Sequence, residues 1–103
     1  MLDELKRKSA RGELEVSEHA AAQMVKRNIA GAEILEALAA GQLIEDYPKA
    51  AFGPCCLIFG KTASNRPIHL VVTYPYRPFI RIITVYEPDP AVWNNFITRI
   101  PKI

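Results

Sequence analysis

No proline and no aromatic residue occurs among residues 1–46; all eight prolines and all nine aromatics follow from Tyr47 onward. This boundary constrains the fold more than any other feature of the chain. The first part is rich in Ala, Glu, Lys and Leu, which lose little side-chain freedom in a helix. The second part has runs of Ile, Val, Thr, Tyr and Phe broken by Pro and Gly, a pattern of strands and turns. Helices gathered ahead of strands predict an α+β domain, not alternating α/β units. With 103 residues there is room for one domain, spanning 1–103. Half the residues are hydrophobic and 23% are charged, which excludes a disordered chain.

Spacing predicts a short amphipathic helix over 2–11 and either a strand or a connector at Leu14-Glu15-Val16. Ser17 is a candidate N-cap for a helix over about 18–27, which Asn28 and Ile29 break. A further helix over about 31–40 places Ile34, Leu35 and Leu38 on one side and stops at Gly41. Four strands are expected at 42–47, 55–61, 67–74 and 79–87. Short connectors make an antiparallel meander their simplest arrangement. The last connector, Tyr74-Pro75-Tyr76-Arg77-Pro78, is a turn stiffened by two prolines. A short helix is expected around Trp93.

No apolar run approaches the roughly 20 residues of a membrane span. The opening residues are charged, with no apolar signal region behind them, so the expected location is cytoplasmic and no membrane partner is expected. Cys55 and Cys56 are adjacent, fit a reducing compartment and lack zinc-ligand spacing. There is no glycine-rich phosphate loop, so neither metal nor cofactor is expected. The net charge of +2 is uneven: residues 59–103 carry six bases and two acids. That excess hints at an anionic partner such as a phosphate backbone, set against an ordinary solvated basic face.

Helical spacing puts His19, Gln23 and Arg27 in one stripe. On the third expected strand, His69, Val71 and Thr73 oppose Ile68, Leu70 and Val72. On the fourth, Ile80, Ile82, Thr84 and Tyr86 share one side, and Arg81, Ile83, Val85 and Glu87 share the other.

Several blocks, in order, resemble the uncharacterised bacterial DUF4258 family over about residues 17–93. They are Ser17-Glu18-His19-Ala20 through Met24 and Arg27, Gly41, Ile44-Glu45-Asp46-Tyr47-Pro48, Arg66-Pro67-Ile68-His69, and Ile83-Thr84-Val85-Tyr86-Glu87-Pro88-Asp89 with Trp93. The resemblance implies kinship with RelE/ParE-like toxins, whose helices pack on a curved antiparallel sheet. The expected fold is therefore α+β, with N-terminal helices on a four-stranded antiparallel sheet. The resemblance also implies toxin-like RNA binding or metal-independent RNA cleavage, held in check by a zinc-finger antitoxin. Ala30 and Gly31 depart from the family's usual helix-capping Ser or Thr, and Cys55 from a small polar residue.

Metal-independent RNA cleavage needs a base for the 2′-hydroxyl, an acid for the leaving 5′-oxygen and a cation for the phosphorane charge. The chain has two histidines, and His19 and His69 are the candidates for proton transfer. Arg27, Arg66 and Arg81 are the candidate phosphate and RNA ligands, with Tyr47, Tyr86 and Glu87 in support. Each has a structural alternative. His19 would bond a nearby backbone group, and His69 would fill space on a strand. Arg27 would make a surface ion pair, Arg66 would be a turn residue, and Arg81 would guard against edge pairing. Tyr47, Tyr86 and Trp93 would be core or rim aromatics, and Glu87 would end a strand. The rival function is a non-catalytic protein-interaction module that uses the same surface or a free sheet edge.

Overall fold

The Ala-rich first part folds as three helices, α1 (Leu2–Ala10), α2 (Glu18–Arg27) and α3 (Gly31–Ala39), with β1 (Leu14–Val16) between the first two. The aromatic second part supplies β2 (Gln42–Tyr47), β3 (Cys55–Lys61), β4 (Pro67–Thr73) and β5 (Ile80–Tyr86), then two very short strands, β6 (Trp93–Asn94) and β7 (Thr98–Arg99). These elements belong to a computed structural model that describes residues 1–101.

Local chemistry explains the helix ends. The Ser17 hydroxyl accepts a hydrogen bond from the Ala20 N–H at 3.0 Å, and Asn28 closes α2 in the left-handed conformation (φ 54°). Ala30 has no side chain with which to cap α3. Glu33 compensates by reaching back to accept from the Ala30 N–H at 2.9 Å.

The sheet order is β1-β5-β4-β3-β2. The pairs from β2 to β5 are antiparallel, as the short connectors require. The four-stranded expectation needs correction, because β1 adds a fifth strand, parallel to β5. Leu14-Glu15-Val16, expected as either a strand or a connector, is thus a strand, and its place in the sheet depends on a partner far along the chain that local pattern does not reveal. The helix expected around Trp93 is also corrected: the chain forms the β6–β7 hairpin there. Three residues, Asn95 to Ile97, connect the paired Asn94 and Thr98; Asn95 (φ 52°) and Phe96 (φ 64°) are the central residues of a turn closed by Ile97 N–H to the Asn94 carbonyl.

The helices cover one face of the sheet. Leu5, Ala20, Ile34, Ala37 and Leu38 pack there against Cys56, Ile58, Ile68, Leu70, Val72, Ile80, Ile82 and Val85. A bulge in the β4–β5 pairing, with Val71 opposite Thr84 and Val72 opposite Ile82, inserts Ile83 as an extra residue. The strict alternation expected for β5 therefore breaks. Val85 turns into the core with Ile80 and Ile82, and Tyr86 moves to the side of its partner His69. The opposite face of the sheet carries Leu57, Phe59, His69 and Tyr86, and the β6–β7 hairpin lies over it through Trp93 and Phe96.

Candidate functional site

The candidate site residues fall into three groups. The first forms where α2 meets β5. The Ser17 N–H donates to the Ile82 carbonyl at 3.0 Å, and its hydroxyl donates to the Ile83 carbonyl at 2.8 Å. The start of α2 is thereby fixed to the β5 edge just beyond the end of β1. His19 then sits over the strand, with Nε2 3.1 Å from Thr84 Oγ1. It is exposed and lines a groove of about 400 Å³ with Ser17, Phe52, Thr73, Arg77, Arg81 and Ile83. Arg81 pairs with its cross-strand neighbour Glu15 on β1 at 3.3 Å, with both side chains close to half exposed. Such a pair is weak and readily exchanged for another anion. Among the described residues, the Arg77 side chain makes no ion pair.

The second group surrounds His69, which is fully buried. Its Nε2 lies 2.7 Å from the Phe96 carbonyl, which can only accept, so Nε2 carries the proton. Nδ1 is then the acceptor, and the Tyr86 hydroxyl donates to it at 3.2 Å. Trp93 meets the imidazole edge-on at 4.6 Å between centroids, and the Phe59 ring lies at 5.8 Å. Nearby, Glu45 accepts two bonds from Arg99, at 2.9 and 3.1 Å, and one from Tyr47. The Arg99 guanidinium also lies over Trp93, 4.6 Å from the ring centroid. Tyr47, Tyr86, His69 and Glu45 are thus gathered beside the hairpin, which contributes Arg99 from β7; sequence reasoning singled out neither Glu45 nor Arg99.

Burial governs the protonation of this group. It pushes the His69 imidazole below its ordinary value, against the opposing bond to Phe96, and raises Tyr86. Tyr47 is pushed up to about 12 by burial and by the Glu45 carboxylate. Glu45 would also rise on burial, but the bonds from Arg99 and Tyr47 hold it below the usual carboxylate range. His69 therefore binds fewer protons folded than unfolded. Its contribution to stability is fully present above about pH 6.5 and is lost progressively as the pH falls below it. The expected result is a His69 ring-proton titration with its midpoint below that value, and a denaturation midpoint that falls over the same acid range. A midpoint at or above 6.5 would contradict the buried neutral ring.

The third group is built on Arg66, at the turn before β4. Its guanidinium donates to Glu33 at 3.0 Å, to Glu87 through Nε at 2.6 Å, and to the Asn28 and Arg27 carbonyls at 2.8 Å each. One planar fork thus ties the carbonyl end of α2 to α3 and to the end of β5. The Ala30 N–H and then Arg66 hold the Glu33 carboxyl below its ordinary range. Arg66 and Glu87 are occupied with each other, and Arg27 joins them only through its backbone. The Arg27 side chain is exposed at the end of α2. Arg66→Lys puts a single point charge in place of the fork, and a loss of about 2 kcal/mol is expected in urea unfolding. An unchanged midpoint would show that these bonds do not hold the helix.

His19 and His69 are not brought together. One bonds Thr84 at the groove; the other is enclosed by Tyr86, Phe96 and Trp93. Of the candidate arginines, Arg81 shares the groove with His19. Sequence reasoning missed Phe52 and Arg77, which sit on loops without periodicity. The Pro-Tyr-Arg-Pro turn was the only available signal for Arg77. Burial pushes the Cys56 thiol up to about 12 and raises Cys55 as well, which suits inert core residues. Among the described residues, no three His, Cys, Asp or Glu side chains are placed to hold a metal ion, and no helix is long and apolar enough to cross a membrane.

An α+β domain with a basic, histidine-bearing groove at the edge of β5 is the class that this geometry defines. Residues 16–87 match the family model described as Domain of unknown function (DUF4258), and the chain belongs to that family. The matched range holds His19, Arg77 and Arg81; α1 and the β6–β7 hairpin lie outside it. No curated protein and no solved structure matches the chain.

Proposed function

We propose that the chain is a toxin-like protein that binds RNA, and cleaves it without a metal, in the groove between α2 and β5. The observation that carries this reading is one exposed histidine beside two arginines in a groove large enough for a nucleotide. Arg77 and Arg81 would take the phosphate, with Arg81 exchanging Glu15 for it. His19 would accept the 2′-hydroxyl proton as the 2′-oxygen attacks phosphorus. The bond to the 5′-oxygen breaks, leaving a 2′,3′-cyclic phosphate, and that oxygen takes its proton from water. His69, buried with both ring nitrogens bonded, would act through the fold. The toxin-like part of the reading, with a RelE/ParE-like ancestry and a zinc-finger antitoxin, is supported by the resemblance of the sequence blocks.

The second reading, a non-catalytic interaction module, is favoured by the outer edge of β2. That strand ends the sheet, and Phe52 stands 92% exposed on the loop beyond it. Fluorescence anisotropy with labelled RNA separates the two. Binding should weaken with salt, and Arg77→Ala combined with Arg81→Ala should flatten the salt slope by about two. Absence of RNA binding at low salt would remove the first reading and leave the second.

A further inference from the structure

Two loops rise at the same end of the sheet beside the groove, one between β2 and β3 and one between β4 and β5. They enclose a second, smaller cleft lined by Phe52, Thr73, Tyr74, Tyr76 and Arg77. Phe52, Thr73 and Arg77 also line the His19 groove, so the two spaces adjoin. Phe52 is 92% exposed and Tyr76 80% exposed. Single exposed apolar rings are ordinary, but these two border one cleft and Arg77 stands with them.

The Tyr76 ring is also held in place. It packs edge-on against Tyr74, 5.5 Å between centroids with the planes at 88°. The Tyr74 hydroxyl in turn donates to Asp46 on β2. Pro75 and Pro78 stiffen the backbone on either side. Across the cleft, Gly53 adopts φ 105°, a conformation closed to most L side chains, and so sets the turn that presents Phe52. An exposed ring braced in this way loses little freedom when something stacks on it.

Resting on the RNA-binding reading, we propose that this cleft is a base-stacking subsite, so that the ligand is single-stranded RNA. A nucleobase offers its flat face to Tyr76 or Phe52 only when it is unpaired and unstacked; a duplex keeps those faces inside its own stack. Arg77 stands between the two spaces, where it meets the phosphate linking the stacked base to the nucleotide at His19. Charge favours a polyanion over an apolar peptide. Lys8 reaches the same loop, its Nζ 3.0 Å from the Pro78 carbonyl, and joins Arg77 and Arg81 as three cations against Glu15 and the Tyr74-bonded Asp46.

The test is anisotropy with a short labelled oligouridylate and a labelled RNA duplex of equal length, on the full chain and on Tyr76→Ala, Tyr76→Phe and Phe52→Ala. Both rings are exposed, so the variants keep the fold, and circular dichroism verifies that. The single strand is expected to bind about tenfold tighter than the duplex, with Tyr76→Ala losing about tenfold and Tyr76→Phe less than twofold. Equal binding of strand and duplex, or an unaffected Tyr76→Ala, would overturn the stacking subsite while leaving RNA binding in place. Loss in Tyr76→Phe equal to that in Tyr76→Ala would show a hydroxyl contact and overturn it too. Failure of both probes to bind would remove the RNA reading itself.

Discussion

Gly60→Ala is expected to destabilise the chain by about 3 kcal/mol, the upper end for forcing atoms into a packed core. Gly60 lies in β3 where α3 crosses the sheet. A Cβ there would overlap the Ala37 carbonyl oxygen and come within 2.7 Å of its carbon. The obstacle is helix backbone, so no rotamer change relieves it. The helix must lift, and Ile34, Ala37 and Leu38 then lose contact with Ile58 and Ile68. A domain of this size has roughly 5–15 kcal/mol of total stability, so the loss takes a large share. Urea unfolding of the two chains measures it. A shift in stability below about 1 kcal/mol would mean that α3 sits on β3 less closely than described.

His19→Ala is expected to lower RNA cleavage by about 10²–10⁴-fold, the usual range for losing a general base, with the unfolding midpoint unchanged. His19 is exposed and its one bond, to Thr84, lies at the surface, so folding does not depend on it. His69→Ala should behave in the opposite way. It empties a buried site against Trp93, Tyr86 and Phe59 and leaves the Phe96 carbonyl without its donor. Its expected cost is about 3 kcal/mol of stability, and activity falls only as the folded fraction falls. Rates corrected for folded protein distinguish the two. A corrected His69→Ala rate as low as that of His19→Ala would place both histidines in the chemistry.

The legible parts of the fold were those set by neighbours in sequence. Ser17 announces α2 because its hydroxyl needs only the N–H three residues on. Asn28 ends α2 because it can take the left-handed conformation, whereas Gly41 follows α3 because a Cβ there would come within 2.6 Å of Ile58 and 2.9 Å of the Ala37 carbonyl oxygen. The strands β2 to β5 follow from their Ile, Val and Tyr runs. What was hidden depends on distant partners. Leu14-Glu15-Val16 becomes a strand only because Ile80–Ile82 lies alongside it. The bulge at Ile83 sends Tyr86 to the His69 side, and no alternation pattern contains it.

The same division runs through the site. His19 stands out by residue type, and the cap beside it fixes its position. Arg66 also stands out by type, yet its acceptors lie as far as 39 residues away, and its work is to hold α2, α3 and β5 together. His69 carries a reactive side chain, but whether it reaches solvent is decided by a hairpin whose turn uses Phe96 at positive φ, a position where glycine would announce a turn and phenylalanine does not. Phe52 and Arg77 needed the two loops to be seen side by side.

The most direct test of the proposal that the groove cleaves RNA is induced expression in a bacterial host, with growth and total RNA integrity followed for the natural chain and for His19→Ala. Growth arrest with RNA breakdown in the natural chain, and neither in the variant, is the expected result. Normal growth with intact RNA from both chains at equal protein levels would contradict it.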